Sequence, residues 1–275
     1  MDQPPIDVSN FSPARKLRRM LACLGFYLQH ESKVLDFGCG SGTVVYDFRD
    51  AGFDAYGFDV TSYVQLRALE DAKYFKFSLI DTLANIPEYS IDKSRYHIPF
   101  GDNLFDFLCS TSVLEHVMDY ELALGEMARI MKPGGVAIHI FPPRCQWVEP
   151  HIGIPLGGYI QNFPWFLFWA VLGVRNEFQN HLGPIGRAKI NCHYAKTGLN
   201  YMKLSAIHDL CRKHFSEVRF IPEFYEMNDG GSFTDKGRRI VNSDKYRRLY
   251  NNTDHIVLFL RKATEGGKTT DHTTR

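Results

Sequence analysis

No stretch of the 275-residue chain is apolar for long enough to cross a membrane. The longest strongly apolar run, residues 163–174, has twelve residues, against the roughly 20 that a spanning helix needs. Neither sign of charge prevails. The 32 basic and 31 acidic side chains leave a net charge of +1, so no global field draws the chain to nucleic acid or an anionic membrane. The six cysteines, Cys23, Cys39, Cys109, Cys145, Cys192 and Cys211, include no CxxC pair. Three of them lie in apolar or glycine-rich runs, a pattern of reduced thiols rather than of a disulfide framework or a zinc site. The first ten residues are polar and contain two prolines, and no secretion signal is visible in them. These absences lead to the expectation of a cytoplasmic protein with no nucleic-acid partner and no transmembrane segment. With 44% hydrophobic and 23% charged residues, disordered and fibrous classes are excluded. The length suits one large domain, or one with a sizeable insertion, and buries a full core without disulfides or structural metal.

What is present is an alternation of strand and helix signals. Ser12 and Pro13 open an amphipathic helix over 13–29, with leucines at 17, 21, 24 and 28 on one face. Strands are expected at 33–37, 54–59, 106–110 and 135–141, with helices at 43–51, 63–72 and 120–131 between them. Lys132-Pro133-Gly134-Gly135 reads as a turn. A third strand is hidden within 73–95, where the apolar residues fit neither period. This order of elements implies βαβ units and a parallel sheet. From 142 to 200 the alternation stops in a segment rich in Pro, Gly, His and aromatics, too long for an ordinary connection. It resumes with a helix at 203–214, a strand at 218–222, a charged helical stretch at 235–250 and a last strand at 255–261. The expected organisation is an N-terminal helix (1–30), a core (31–141), a lid (142–200), the rest of the core (201–262) and a disordered tail (263–275).

The strongest motif is Asp36-Phe37-Gly38-Cys39-Gly40-Ser41-Gly42, between a strand and a helix. A dinucleotide loop requires GxGxxG. Here the third glycine comes one residue early, and Thr43 stands where it belongs. Asp36 would also repel a pyrophosphate but favour a cationic ligand. These features argue against a nicotinamide oxidoreductase. The loop resembles the first motif of class I S-adenosylmethionine (SAM)-dependent methyltransferases. Ile98 to Asp106 (IPFGDNLFD), Val113 to Val117 (VLEHV) and Glu126 to Gly135 (EMARIMKPGG) follow in the order and spacing of the UbiE/Coq5-like type 11 methyltransferase domain. The resemblance covers about residues 33–141. It implies a Rossmann-like three-layer α/β sandwich with a seven-stranded, mostly parallel sheet, an N-terminal helix and a substrate-lid insertion after strand 5. It implies SAM as cofactor, and since the neutral charge argues against DNA or tRNA as acceptor, the expected activity is methyl transfer to a small molecule, at a hydroxyl oxygen. No Asn-Pro-Pro-Tyr motif of base methylases is present.

The resemblance also implies roles for residues. Asp36 and the backbone of Gly38, Cys39, Gly40, Ser41 and Gly42 would hold the methionine end of SAM. Asp59, at the end of the second strand with Val60 beside it, would accept the ribose hydroxyls. The family's adenine-binding acid falls on Ser94 here, so adenine is left to a Ser94 hydroxyl or to backbone at Arg95 or Tyr96. Thr111, at the end of the fourth strand, would face the sulfonium, with Glu115 following. In ubiquinone-type O-methyltransferases a similar LEH segment supplies metal ligands together with a carboxylate three residues upstream. Ser112 occupies that position, and no metal is expected.

The lid begins PPRCQWVEPH (142–151) where an acceptor should sit. A hydroxyl acceptor benefits from a base, and histidine suits neutral pH. Glu149 and His151, two apart in an extended stretch, would point the same way and form a base unit, or else brace the lid. His116 is the next candidate. His181, Asn191, His193, Tyr194 and Lys196 are further polar residues of the lid with no distinguishing spacing. The aromatic run at 162–172 suits an apolar or lipid-linked acceptor, a peripheral membrane contact, a buried lid helix or a homodimer contact. Against the methyltransferase reading stands a SAM-fold protein without catalysis that binds a partner through this aromatic lid.

Overall fold

A computed structural model describes residues 12–60, 64–77, 97–226 and 234–264. Its centre is a seven-stranded sheet in the order β3-β2-β1-β4-β5-β7-β6. The strands are β1 (Lys33–Phe37), β2 (Asp54–Asp59), β3 (Phe75–Phe77), β4 (Phe105–Thr111), β5 (Met131–Phe141), β6 (Glu217–Phe220) and β7 (Ile256–Arg261). The first five pair in parallel, and β7 runs antiparallel to β5 and β6. This is the expected fold class. The central strands are apolar on both sides because helices cover both faces. On one face α1 (Pro13–Cys23) and α2 (Thr43–Asp50) bury Leu17, Leu21, Val45 and Phe48 with Val34 and Phe107 of the sheet. On the other, α3 (Tyr120–Ile130) and α6 (Leu204–Arg212) bury Leu124, Met127 and Ile207 with Leu35, Leu108 and Leu258. The strand order reverses between β1 and β4, so a crevice for ligands opens at their carboxyl ends.

Several elements differ from expectation for local reasons. α1 stops at Cys23 instead of continuing to 29. Gly25 takes a φ of 82° and the Phe26 N–H donates to the Leu21 carbonyl at 2.9 Å, a left-handed glycine stop. Ser12 does cap α1, accepting from the Arg15 N–H. Asp47 of α2 accepts from the Ser12 hydroxyl and the Ala14 N–H, which pins the two helices together. The helix expected over 63–72 is replaced, within the described residues, by a short 3-10 turn at Leu69–Tyr74. Val64 packs against the core, but Leu66 and Leu69 stay exposed, Leu69 by 89%. The backbone there is tied to the core instead, through Gln65 N–H to the Ser41 carbonyl and Arg67 N–H to the Tyr46 hydroxyl.

The turn expected at Lys132 to Gly135 lies inside β5, which begins at Met131. It survives as a bulge, because pairing jumps from Phe105↔Met131 to Phe107↔Val136. The hidden third strand is the three-residue β3. The charged stretch at 235–250 divides into α7 (Asp235–Val241) and α8 (Asp244–Thr253), the second opened by the Ser243 hydroxyl accepting from the Tyr246 N–H.

The segment expected to form a lid, 142–200, contains α4 (Phe163–Val171) and α5 (Pro184–Thr197), packed on one another around a small core of its own, Ile152, Ile154, Phe166, Ala188 and Ala195. Asn162 caps α4. The aromatic run is therefore a lid helix with one buried edge, and Phe168 and Leu172 remain exposed. No helix among the described residues is long and apolar enough to cross a membrane. Residues 265–275, most of the expected tail, lie outside the described residues.

Candidate active site

The first half of the site is made of backbone. Between β1 and α2, Gly38, Gly40 and Gly42 take φ values of 77°, 48° and 84°, a left-handed region that glycine enters without strain. The Gly38 and Cys39 N–H groups donate to the Phe58 carbonyl at 2.7 and 3.0 Å. The Gly40 N–H donates to the Asp59 carboxylate at 2.8 Å, which ties the loop to the end of β2. The glycines serve different ends. A Cβ at Gly38 would lie 2.4 Å from the Val113 side chain, and one at Gly42 would lie 2.9 Å from the Phe75 ring. A Cβ at Gly40 would meet nothing within 4 Å. Two glycines thus allow close packing, and the middle one faces open space beside Asp59. Ser41 is exposed, its hydroxyl 2.9 Å from that of Thr43.

Asp36 is buried at the end of β1, and its hydrogen-bond partner among the described residues is the Cys109 thiol at 3.9 Å. Burial, and then the charge of Asp59, push its pKa up to about 7. The Cys39 and Cys109 thiols are pushed up by burial and by Asp36, which keeps them protonated and inert. Val60 and Thr111 are exposed at the carboxyl ends of β2 and β4. Ser94 and Arg95 lie outside the described residues.

The second half is made of side chains. After β4 a 3-10 turn, Leu114–His116, buries Glu115 completely, and neither of its carboxylate oxygens has a hydrogen-bond partner. His116 Nε2 lies 3.9 Å and His151 Nε2 3.8 Å from Glu115 Oε1. The two rings meet edge to face with centroids 4.7 Å apart. Each ring is oriented through its other nitrogen. His116 Nδ1–H donates to the Gly198 carbonyl at 2.6 Å, and His151 Nδ1 is 2.6 Å from Glu149 Oε1.

Glu149, also buried, accepts in addition from the His151 and Ile152 N–H groups at 2.9 and 2.8 Å and from the Tyr201 hydroxyl at 2.7 Å. Glu149 and His151 therefore meet for a reason other than strand alternation. The chain turns back here, with Gly153 N–H bound to the Glu149 carbonyl and Val148 bridged to Pro155, and the carboxylate closes the turn.

Electrostatics divide these four groups. Burial raises Glu115 to about 7 and pulls His116 down. For Glu149 burial acts upward, but hydrogen bonds from His151 and Tyr201 outweigh it and hold the carboxylate low. For His151 burial acts downward, and the bond and charge of Glu149 outweigh it and raise the ring. Gly198, Asn200 and Tyr201 belong to the site without any sign in the sequence. Asn200 N–H donates to the Glu115 carbonyl at 2.6 Å and its side chain to the Val117 carbonyl at 2.8 Å, so the end of the lid is strapped over the turn. Of the other polar lid residues, Tyr194 comes near, its ring 6.1 Å from that of His151.

A family model described as a methyltransferase domain matches residues 10–213. An uncharacterized methyltransferase of Schizosaccharomyces pombe is 33% identical over 110 residues, 40% of this chain and 39% of that protein. A demethylmenaquinone methyltransferase of Paenarthrobacter aurescens is 31% identical over 129 residues, 47% of this chain and 46% of that protein. The alignments span less than half the length of these curated relatives. The solved structure of Haemonchus contortus phosphoethanolamine N-methyltransferase 2 with S-adenosyl-L-methionine aligns with 92% of this chain and 52% of that one, at 16% identity and a TM-score of 0.48.

Proposed function

The chain belongs to the methyltransferase-domain family matched over residues 10–213, and we propose that it is a SAM-dependent methyltransferase that methylates a hydroxyl oxygen of a small, apolar molecule. The residues fit the cofactor on two counts. Gly40 leaves a cradle that any Cβ would fill, and among the described residues no cation acts on the buried Asp36 carboxylate. Asp36 and the Gly38–Gly42 backbone would hold the cationic amino-acid end, and Asp59 the ribose. When bound, SAM supplies a methyl group on a cationic sulfur, already reactive toward an oxygen nucleophile.

The protein then has to align the acceptor, exclude water and handle one proton. The observation that carries the hydroxyl reading is the Glu149–His151 pair. Glu149 holds His151 Nδ1 and leaves Nε2 with a free lone pair, the arrangement by which a carboxylate orients a histidine base. His151 Nε2 would take the acceptor's proton, with Glu149 as a positioning residue and His116 as its neighbour. Trp147 and Val148, exposed a few residues away, fit an apolar or lipid-linked acceptor.

Calorimetry with SAM and, separately, NAD tests the cofactor. Tight NAD binding without SAM binding would reverse the reading. Incubation of methyl-labelled SAM with cell extract then identifies the acceptor. With that acceptor, His151→Ala should lower kcat by roughly 10²–10⁴-fold with SAM affinity and melting temperature nearly unchanged. A variant that melts early and loses SAM as well makes His151 a lid brace.

A further inference from the structure

Three proton acceptors face one another in the cluster above, and nothing positive lies between them. His116 Nδ1 is bound to a carbonyl, which can only accept, so that nitrogen carries the proton and Nε2 is bare. His151 Nδ1 meets a carboxylate that already takes three other donors, so there too Nδ1 carries the proton and Nε2 is bare. Both bare nitrogens point at Glu115, which is fully buried and whose two oxygens lack any partner. Leaving such a carboxylate unpaired costs several kcal/mol by order of magnitude. A proton added to one member joins one pair only, and at 3.8 and 3.9 Å both pairs are beyond hydrogen-bond length. A cation at the centre satisfies all three at once.

We infer that Glu115, His116 and His151 form a divalent transition-metal site. Their ligand atoms all lie within 4.8 Å of one another. A tetrahedral ion with bonds of roughly 2.0–2.2 Å sets its ligand atoms about 3.4 Å apart, about half an ångström closer than the two separations from Glu115. Two neutral imidazoles and one carboxylate make the donor set of open zinc sites and of facial non-haem iron sites, which keep at least one position for a further oxygen ligand. Magnesium prefers an all-oxygen octahedron. The supporting bonds are those that metal-bound histidines show, a carbonyl behind one ring and a carboxylate behind the other. Ser112, one turn upstream, is exposed with a φ of 56° and is not needed, because the lid supplies the third ligand. The site therefore exists only when the lid lies on the core.

This deepens the proposed methylation of a hydroxyl. The ion would hold the acceptor's oxygen in its open position and lower the pKa of its proton, which would leave to solvent water; that oxygen would then take the methyl group as its bond to the SAM sulfur breaks, leaving a neutral thioether, and His151 would serve as ligand in place of base. The ion's presence is measured without SAM or acceptor, so the two readings fail separately. The purified protein is stripped with a chelator and titrated with zinc alone by calorimetry, then with cobalt(II) alone followed by its visible absorption. The expected result is one equivalent bound, with low-symmetry cobalt bands, and a raised melting temperature. Glu115→Gln, His116→Ala and His151→Ala should each weaken binding at least 100-fold, and Lys213→Ala, on the surface, should not. Circular dichroism confirms that each variant is folded. Should Glu115→Gln alone prove misfolded, the two histidine variants decide. Absence of stoichiometric binding to the stripped wild type, or equal binding by the variants, overturns the site and returns His151 to the role of base.

Discussion

Around the glycine loop, ligand space is made by leaving side chains out. At the lid it is made by holding side chains in. Gly40 faces open space, and at the end of β1 the buried Asp36 carboxylate has, among the described residues, a thiol as its hydrogen-bond partner. Across the crevice Glu149 takes four donors and in consequence fixes one imidazole, while Glu115, equally buried, takes none. A carboxylate whose bonds are filled can only position a neighbour. One whose bonds are empty stores a demand for something not in the chain. On this division the proposals give Asp36 and Glu115 the part of binding acids, one toward an organic cation and one toward a metal, and leave Glu149 as scaffold.

The largest expected effect separates the two kinds of glycine. Gly40→Val should leave SAM binding undetectable, a loss of more than about 4 kcal/mol, while the positive φ costs the fold only about 1–2 kcal/mol. Calorimetry together with thermal melting checks it, and retained binding would show that the cradle is not the cofactor's. Next comes the independence of the lid. Phe166→Ala, in the lid's own small core, should destabilise by about 3–5 kcal/mol in denaturant melts. SAM affinity should be unaffected, since none of the loop's contacts passes through that core. A parallel loss of SAM affinity would mean that the lid also shapes the cofactor half. Asp59→Ala should then weaken SAM by about 1.5–3 kcal/mol, the scale of a hydrogen bond to a charged group. It also frees the Gly40 N–H, so Asp59→Asn, which keeps an acceptor for that donor, should lose less.

The glycine loop was legible in the sequence because backbone geometry demands glycine at particular places, and no other residue substitutes for it. The seven-strand class followed from four motifs in order. The elements misjudged are those in which tertiary contacts overrode the local pattern. The spacing of 63–72 fits a helix, but the core receives Val64 and leaves Leu66 and Leu69 exposed, and β3 is three residues long, too short for any period to show. In the active site, LEH and EPH were each visible, but nothing in their spacing shows that His151 reaches Glu115. That contact depends on the chain returning at Gly198 to Tyr201 to strap the turn and brace Glu149. Tyr201 sits past the end of the lid with no pattern to mark it. The expectation of no metal rests on Ser112, a position in one segment, whereas the ligand set proposed above is shared between two.

The smallest effect is also the most diagnostic of Asp36. Its pKa stands near 7 because burial, then Asp59, disfavour the charged form, with the Cys109 thiol a weak aid. The folded value lies above the ordinary carboxylate value. Its contribution to stability is therefore fully present below about pH 4 and is lost as pH rises through about 7. Binding runs the other way. A cationic ligand beside Asp36 favours the carboxylate, so below pH 7 the complex must release a proton that the free protein holds. SAM affinity should fall by up to about tenfold per pH unit as pH drops below 7. Calorimetry in buffers of different ionisation enthalpy counts that proton directly. Asp36→Asn removes the group without changing its size. It should weaken SAM at pH 8, abolish the released proton and raise the melting temperature of the ligand-free protein at that pH. A variant that still releases the proton on binding would assign it to the histidine side of the crevice, and Asp36 would lose its claim on the cofactor's charge.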